Sequence, residues 1–367
     1  MVFPVAAVFL GMLKTGECEA SPAFQVNYAR ALRQDLPRYD REQSYRRVLS
    51  TCPNEVGLYA DYGSFLISNK NFSQALFWIN KGLKMAPSNF NLRLKKAAAL
   101  LPLGLANDVL EVLRTVPPSA ESTFCKGMAQ RLLQDHVAAR DAFRSAWQLG
   151  YEDAYVLYSL VQEDYALGDK PTGLRDFQIL LQKFPDSPWV HQLLGDAYFS
   201  KDKNDEARQE YIQAIALKSD LLNVNFRLGY LAFQDGDKES AARYFRNELT
   251  LNPKYVDARV FLAEALLGLD QKEDALVQLR MALTLDPSSE LVYRRLATTL
   301  VETNHLQEAV ATLRQAELRF PEDPAFPAQL SRLLTVLNET KSAREEAARA
   351  RKLASEQHKK QEIAPVK

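Results

Sequence analysis

Four histidines, three cysteines and a few adjacent carboxylates are the side chains of this chain best suited to chemistry. His136, His191, His305 and His358 would serve as metal ligands or proton carriers if they met each other at short helical spacing. None lies four residues from another histidine and no HExxH run occurs, so each reads as a solvated or packed imidazole. Cys18, Cys52 and Cys125 lack the close pairing of zinc or redox sites, which excludes a disulfide scaffold and leaves Cys52 and Cys125 as free thiols. No GxGxxG, GxxxxGK[ST] or GxSxG run appears, so phosphate cradles and nucleophile elbows have no support. Carboxylate neighbours such as Glu345 and Glu346 fall in a charged run and read as solvated surface. These residues assign no catalytic group, no metal ligand and no cofactor, and the expectation is a protein that is not an enzyme.

Composition points the same way. The chain has 367 residues, 47% of them apolar, with 46 basic and 46 acidic side chains and no formal net charge. That is globular composition without a global field to draw nucleic acid or an anionic membrane. Length alone predicts two or three compact domains, but a repeat overrides it. Pro253, Pro287 and Pro321 stand 34 residues apart, as do Pro53 and Pro87. Ala207, Ala241, Ala275 and Ala309 keep the same interval, and so do Gly195, Gly229, Ala263 and Ala297. Within a unit the apolar spacing is helical, as in Leu221 to Asp235, with Gly168, Gly236 and Asn304 as left-handed stops. Acidic residues then open a second helix, at Asp205-Glu206, Glu239, Glu273-Asp274 and Glu308, where they complement the helix dipole.

A 34-residue helical hairpin with a small residue in its first helix, an alanine in its second and a closing proline resembles the tetratricopeptide repeat family. The match is clearest over 188–221, with Leu194-Gly195, Tyr198, Ala207, Tyr211 and Ala214. The resemblance implies an all-α fold, a right-handed superhelical solenoid of antiparallel helix pairs. Its units would be 22–55 (degenerate), 56–89, 90–119 (short), 120–153, 154–187, 188–221, 222–255, 256–289, 290–323 and 324–357 (capping), so the array spans 21–357. A polar tail, 358–367, follows. The short unit, interrupted by Pro102 to Gly104, predicts a trimmed helix or tightened turn, and 154–187 departs by carrying Val161 and Gly173 in the small-residue slots.

Ahead of the array, Val2 to Leu13 is too short for an integral membrane span. It resembles the apolar region of a secretory signal ending at Cys18-Glu19-Ala20, without a basic n-region. The corresponding expectation is a periplasmic or secreted protein if residues 1–20 are a signal, and a cytoplasmic one otherwise.

The family lines a concave groove with its first helices. Carried onto this chain, those positions give Tyr155, Tyr158, Ser159, Gln162 and Tyr165, then Trp189, Gln192, Asp196 and Phe199. They continue with Asn223, Phe226, Arg227, Tyr230 and Phe233, and then Asp257, Phe261, Glu264, Arg294, Arg295 and Glu302. Aromatic rings beside an arginine and amides suit an extended peptide or partner helix. The expected function is a protein-interaction scaffold with a protein or peptide partner of unknown identity and no nucleic-acid partner. The alternatives are the substrate-recognition subunit of a multi-protein enzyme, and a carbohydrate-binding solenoid in which Trp189 and the tyrosines stack on sugar rings. The Lys and Asn pair with which the family clamps a terminal carboxylate is missing from consecutive units.

Overall fold

A computed structural model describes residues 21–363. Among them are twenty α-helices and no strand. The apolar segment Val2 to Leu13, the signal-like site at Cys18 to Ala20 and residues 364–367 lie outside the described residues. Two compact units divide between Pro185 and Asp186.

The first unit holds five hairpins. They are α1 (Pro22–Leu32) with α2 (Arg38–Thr51), α3 (Val56–Ser68) with α4 (Phe72–Met85), and α5 (Phe90–Leu100) with α6 (Ala106–Leu113). α7 (Ala120–Leu132) with α8 (His136–Gln148) and α9 (Ala154–Ala166) with α10 (Lys170–Lys183) complete it. The second unit holds five more: α11 (Pro188–Phe199) with α12 (Asn204–Leu217), α13 (Val224–Gln234) with α14 (Lys238–Leu251), and α15 (Val256–Gly268) with α16 (Lys272–Leu285). Its last two are α17 (Glu290–Glu302) with α18 (Leu306–Arg319), and α19 (Ala325–Val336) with α20 (Thr340–Ile363). Odd-numbered helices are the A helices and even-numbered ones the B helices. In each unit every B helix also touches the next A helix, so the hairpins stack on their neighbours.

The turn inside each hairpin shows why the period is so regular. From the second hairpin on, one residue per turn has positive φ: Lys70, Gly104, Gln134, Gly168, Asp202, Gly236, Asp270, Asn304 and Asn338. The next residue's N–H donates back to a carbonyl five residues earlier, as from Asp169 to Asp164 at 2.8 Å and from His305 to Leu300 at 2.8 Å. This closes the A helix with a left-handed stop and starts the B helix in one step. In the short repeat the same device sits at Gly104, after a tight 3-10 turn over Leu101–Leu103, and α6 is trimmed to 8 residues.

A second recurrence joins consecutive hairpins. The residue six positions after a closing proline donates to that proline's carbonyl: Tyr59 Oη to Pro53 at 2.8 Å, Arg93 Nε to Pro87 at 2.8 Å, and Arg259 Nη2 to Pro253 at 2.5 Å. Proline supplies no donor of its own, but its carbonyl still needs a partner.

Side-chain volume sets the approach of the two helices in a hairpin. A Cβ built at Gly195 would lie 2.6 Å from the Tyr211 ring, at Gly229 2.8 Å from Phe245, and at Gly127 2.8 Å from Phe143. Where the A-helix residue is Ala263 or Ala297, the residue sixteen later is a buried leucine, Leu279 or Leu313. In these five hairpins ring pairs with glycine and leucine with alanine, so the summed volume is held near constant there, whereas Gly63 faces Ile79. In 154–187 the bulk is exchanged: buried Val161 takes the A-helix slot, and Gly173 in the B helix leaves room for Asp164 and Tyr165.

One local expectation is corrected. The helix predicted from Leu221 starts only at Val224, because Asn223 stands at φ 69 and blocks an earlier start. The free N–H groups of Asn223 and Phe226 donate instead to the fully buried Glu248 carboxylate, at 2.9 and 3.4 Å. α20 continues past 357 to Ile363.

At the far end of the second unit, burial and then the facing Glu346 carboxylate on α20 push the Glu317 carboxyl up to about 7. Arg349 on α20, 3.5 Å away, and Arg314 on α18 oppose this and do not cancel it. The folded state therefore favours the protonated acid. Its stabilisation is complete below the ordinary carboxyl range and is lost as pH rises through about 7. We expect Glu317→Gln to raise stability by about 1–2 kcal/mol at pH 8 and to change little at pH 4. Equal effects at both pH values in thermal melts would refute this.

Candidate functional site

The A-helix face of the second unit brings together a run of side chains in pairs. Arg227 on α13 reaches back to Asp196 on α11 at 3.8 Å and lies 4.9 Å over the Phe199 ring. Tyr230, one turn on, meets Phe199 edge-on at 5.9 Å and Phe261 on α15 at 5.4 Å. Phe233 meets Phe261 at 5.9 Å, and Glu264 on α15 pairs with Arg295 on α17 at 2.8 Å. Asp196 with Arg227, Tyr230 with Phe261 and Glu264 with Arg295 share one register, each partner thirty-one residues after the first. The face is thus an ion pair, an aromatic pair and a second ion pair on successive A helices.

The electrostatics follow from this pairing. Tyr211 donates to Asp196 at 2.6 Å, and burial, reinforced by that carboxylate, holds the phenol above its usual range, so it stays a donor. Burial pushes Asp196 up from the ordinary aspartate value, while the Tyr211 hydrogen bond and Arg227 pull it back. Both arginines of the face are matched by acids, which leaves rings and amides as its unspent contact groups.

Phe199, Arg227, Tyr230 and Phe233 are partly exposed on this face, as expected. Trp189 is half-buried against the cluster around Ala207 and Tyr211. Asn223 is exposed, but at the left-handed start of α13 rather than within a helix. Phe226 does not line the surface: it is 9% exposed, closed in by Phe245, Tyr255 and Phe261. Gln192 is likewise buried, donating to the Leu222 carbonyl at 3.4 Å.

In the first unit, Tyr158 is also core, at 5% exposure, stacked on half-buried Tyr155 at 5.8 Å. Tyr155 in turn meets Phe124, which stacks on Tyr151 at 4.8 Å. Tyr165, half exposed at the end of α9, is the ring of that helix most open to a partner. Tyr158 and Phe226 occupy the same position in their hairpins and both are covered, Phe226 by Phe245 of its own B helix and by Tyr255 and Phe261 at the next A helix. Sequence reasoning missed the pairing of one unit's ninth residue with the next unit's sixth, although the interval of thirty-one carried it.

The groups with chemical potential are tied down. His136 Nδ1 lies 2.7 Å from Glu163, His191 Nδ1 2.7 Å from Glu210, and His305 Nδ1 2.9 Å from the Thr303 hydroxyl. Cys125 is free and buried, and burial pushes its thiol up to about 12, far from a nucleophilic thiolate. Cys52 is not the free thiol expected: it is disulfide-bonded. Among the described residues no three His, Cys, Asp or Glu side chains gather so as to hold a metal ion. No helix among them is long and apolar enough to cross a membrane.

Two family models match the same unit, a TPR repeat over residues 195–236 and a tetratricopeptide repeat over 232–298. Residues 195–298 are tetratricopeptide repeats. Tetratricopeptide repeat protein 16 of Mus musculus is 32% identical over 108 residues, which cover 28% of this chain and 14% of that protein. Sperm-associated antigen 1 of Mus musculus is 31% identical over 140 residues, 38% of this chain and 15% of that protein. This TPR chain therefore aligns with a small part of either relative's length. Among solved structures, the Cut9–Hcn1 hetero-tetramer of APC/C matches with a TM-score of 0.58 at 17% identity, covering 85% of this chain and 63% of that one. A tetratricopeptide repeat protein from Parabacteroides merdae matches with a TM-score of 0.53 at 16% identity, covering 67% of this chain and all of that one. At these identities the structural likeness concerns the fold.

Proposed function

We propose that this TPR protein is a non-enzymatic scaffold whose second unit holds an extended peptide or a helix of a partner protein in a groove along its A-helix face. The observation that carries this reading is the run from Phe199 through Tyr230 to Phe261, flanked on both sides by arginines already paired with acids. Ring surface of this kind offers contact area at low entropy cost, while the pairing removes the long-range attraction that would favour any highly charged ligand. Recognition is then by shape, ring contact and local hydrogen bonds, and its affinity depends weakly on salt.

Crosslinking with mass spectrometry in the native cell, on wild type and on Tyr230→Ala, tests the proposal. Tyr230→Ala is expected to lower crosslinked partner at least about tenfold while costing about 1 kcal/mol or less of stability. Phe226→Ala, a core substitution, is expected to cost about 3–5 kcal/mol. Unchanged partner recovery in Tyr230→Ala would sink the groove assignment. Loss of recovery on adding free glycans would favour the carbohydrate alternative.

A further inference from the structure

The neutral total conceals one stretch of uniform sign. Between Asp61 and Asp108 there is no acidic residue, while Lys70, Lys81, Lys84, Arg93, Lys95 and Lys96 are all basic. This stretch builds α4, whose outward face sets exposed Phe77, Lys81, Lys84 and Met85 at the i, i+4, i+7 and i+8 positions of one helix. Phe77 is 63% exposed and Met85 42%, so two large apolar side chains flank two exposed lysines over about 12 Å of helix. Neither lysine has an ion-pair partner among the described residues. Lys81 lies 5.0 Å over the Trp78 ring, which fixes its stem while leaving its charge unmatched. This B-helix surface belongs to the first unit and shares no residue with the A-helix face of the second.

We propose that the outward face of α4 is a second docking surface, and that its occupant is an acidic amphipathic helix of a partner protein. Carboxylates at i+4 and i+7 of that helix would meet Lys81 and Lys84, and apolar side chains at i and i+8 would meet Phe77 and Met85. Charge complementarity selects the sign, and the helical register of the four residues selects the form, since a second helix presents side chains at the same spacing. Two lysines are too few for a phosphate backbone, where useful affinity takes many contacts, and α4 carries no arginine to fork a phosphate. They are likewise too few to hold a chain on an anionic bilayer with one phenylalanine and one methionine as anchors.

The test uses the full chain and a synthetic fluorescent helix with leucine at i and i+8 and glutamate at i+4 and i+7. A counterpart peptide carries lysine in place of each glutamate, and oligothymidylate and phosphatidylserine vesicles serve as the other probes. Fluorescence anisotropy is expected to show binding of the acidic peptide, weakened by added salt. The double variant Lys81→Glu/Lys84→Glu should lose about tenfold or more in affinity and gain binding of the lysine counterpart. That gain separates lost complementarity from lost folding. Phe77→Ser should weaken the acidic peptide, and Tyr230→Ala should leave it unchanged, which keeps this surface distinct from the proposed groove. Failure of the acidic peptide to bind, tighter binding of oligothymidylate or vesicles, or equal binding by wild type and the charge-reversed variant would each overturn the proposal.

Discussion

Gly195→Leu is expected to cost about 3 kcal/mol, the upper end of what overpacking a filled core usually costs. Even a single Cβ at this position falls 2.6 Å from the Tyr211 ring, closer than packed atoms approach. The ring cannot swing aside freely, because its hydroxyl is held by Asp196 at 2.6 Å and the side chain is fully buried between α11 and α12. The two helices must separate, and separation also loosens the contact of α12 with α13. The neighbouring hairpins suggest the remedy, since Ala263 faces Leu279 and Ala297 faces Leu313 in the same slots. Gly195→Ala should therefore cost less in a Tyr211→Leu background than in wild type, by at least about 1 kcal/mol of coupling. Urea melts of the four proteins in the cycle decide it. An alanine cost that is the same in both backgrounds would show that ring and glycine do not set the spacing.

That compensation explains what was legible in the sequence. Period, turn and closing proline are fixed by backbone geometry, so Gly168, Gly236 and Asn304 could be read as left-handed stops directly. The small-residue series could be read because one slot recurs in every hairpin. Exposure on the A-helix face was harder, because it depends on which residues of the hairpin's own B helix and of the next A helix lie opposite. Phe226 and Tyr158 were read with the exposed rings, yet both are covered, Phe226 by Phe245 and Tyr255. The start of α13 was illegible for a related reason. Its free N–H groups are satisfied by Glu248, a residue one helix away, and no local capping residue announces the boundary. Totals misled in their own way: a balance of 46 basic and 46 acidic residues is compatible with a helix face that carries only one sign.

The other large effect is expected in the first unit. Glu163 on α9 is almost wholly buried and accepts from two side chains at once, Arg131 Nε of α7 and His136 Nδ1 of α8, the latter at 2.7 Å. Arg131 also donates to the Ser159 carbonyl at 3.0 Å and lies 4.7 Å over the Phe143 ring, so its head is held from every side. Glu163→Ala would leave that guanidinium, only 19% exposed, against a ring, one carbonyl and the Tyr155 hydroxyl. Breaking a buried pair from one side costs about 3–5 kcal/mol, and the lower figure applies here because Arg131 keeps some access to water. Glu163→Gln keeps an acceptor oxygen and should cost about 1–2 kcal/mol. The double change Arg131→Met/Glu163→Leu removes both charges together with their desolvation, and should cost less than Glu163→Ala alone. Chemical denaturation ranks the three variants. If the double change proves the most damaging, the cluster is a net source of stability; if it proves the mildest, the charges serve mainly to fix how α7, α8 and α9 meet. The second outcome is expected, because Arg131 spans two consecutive A helices and thereby sets the register on which any binding face of this unit depends.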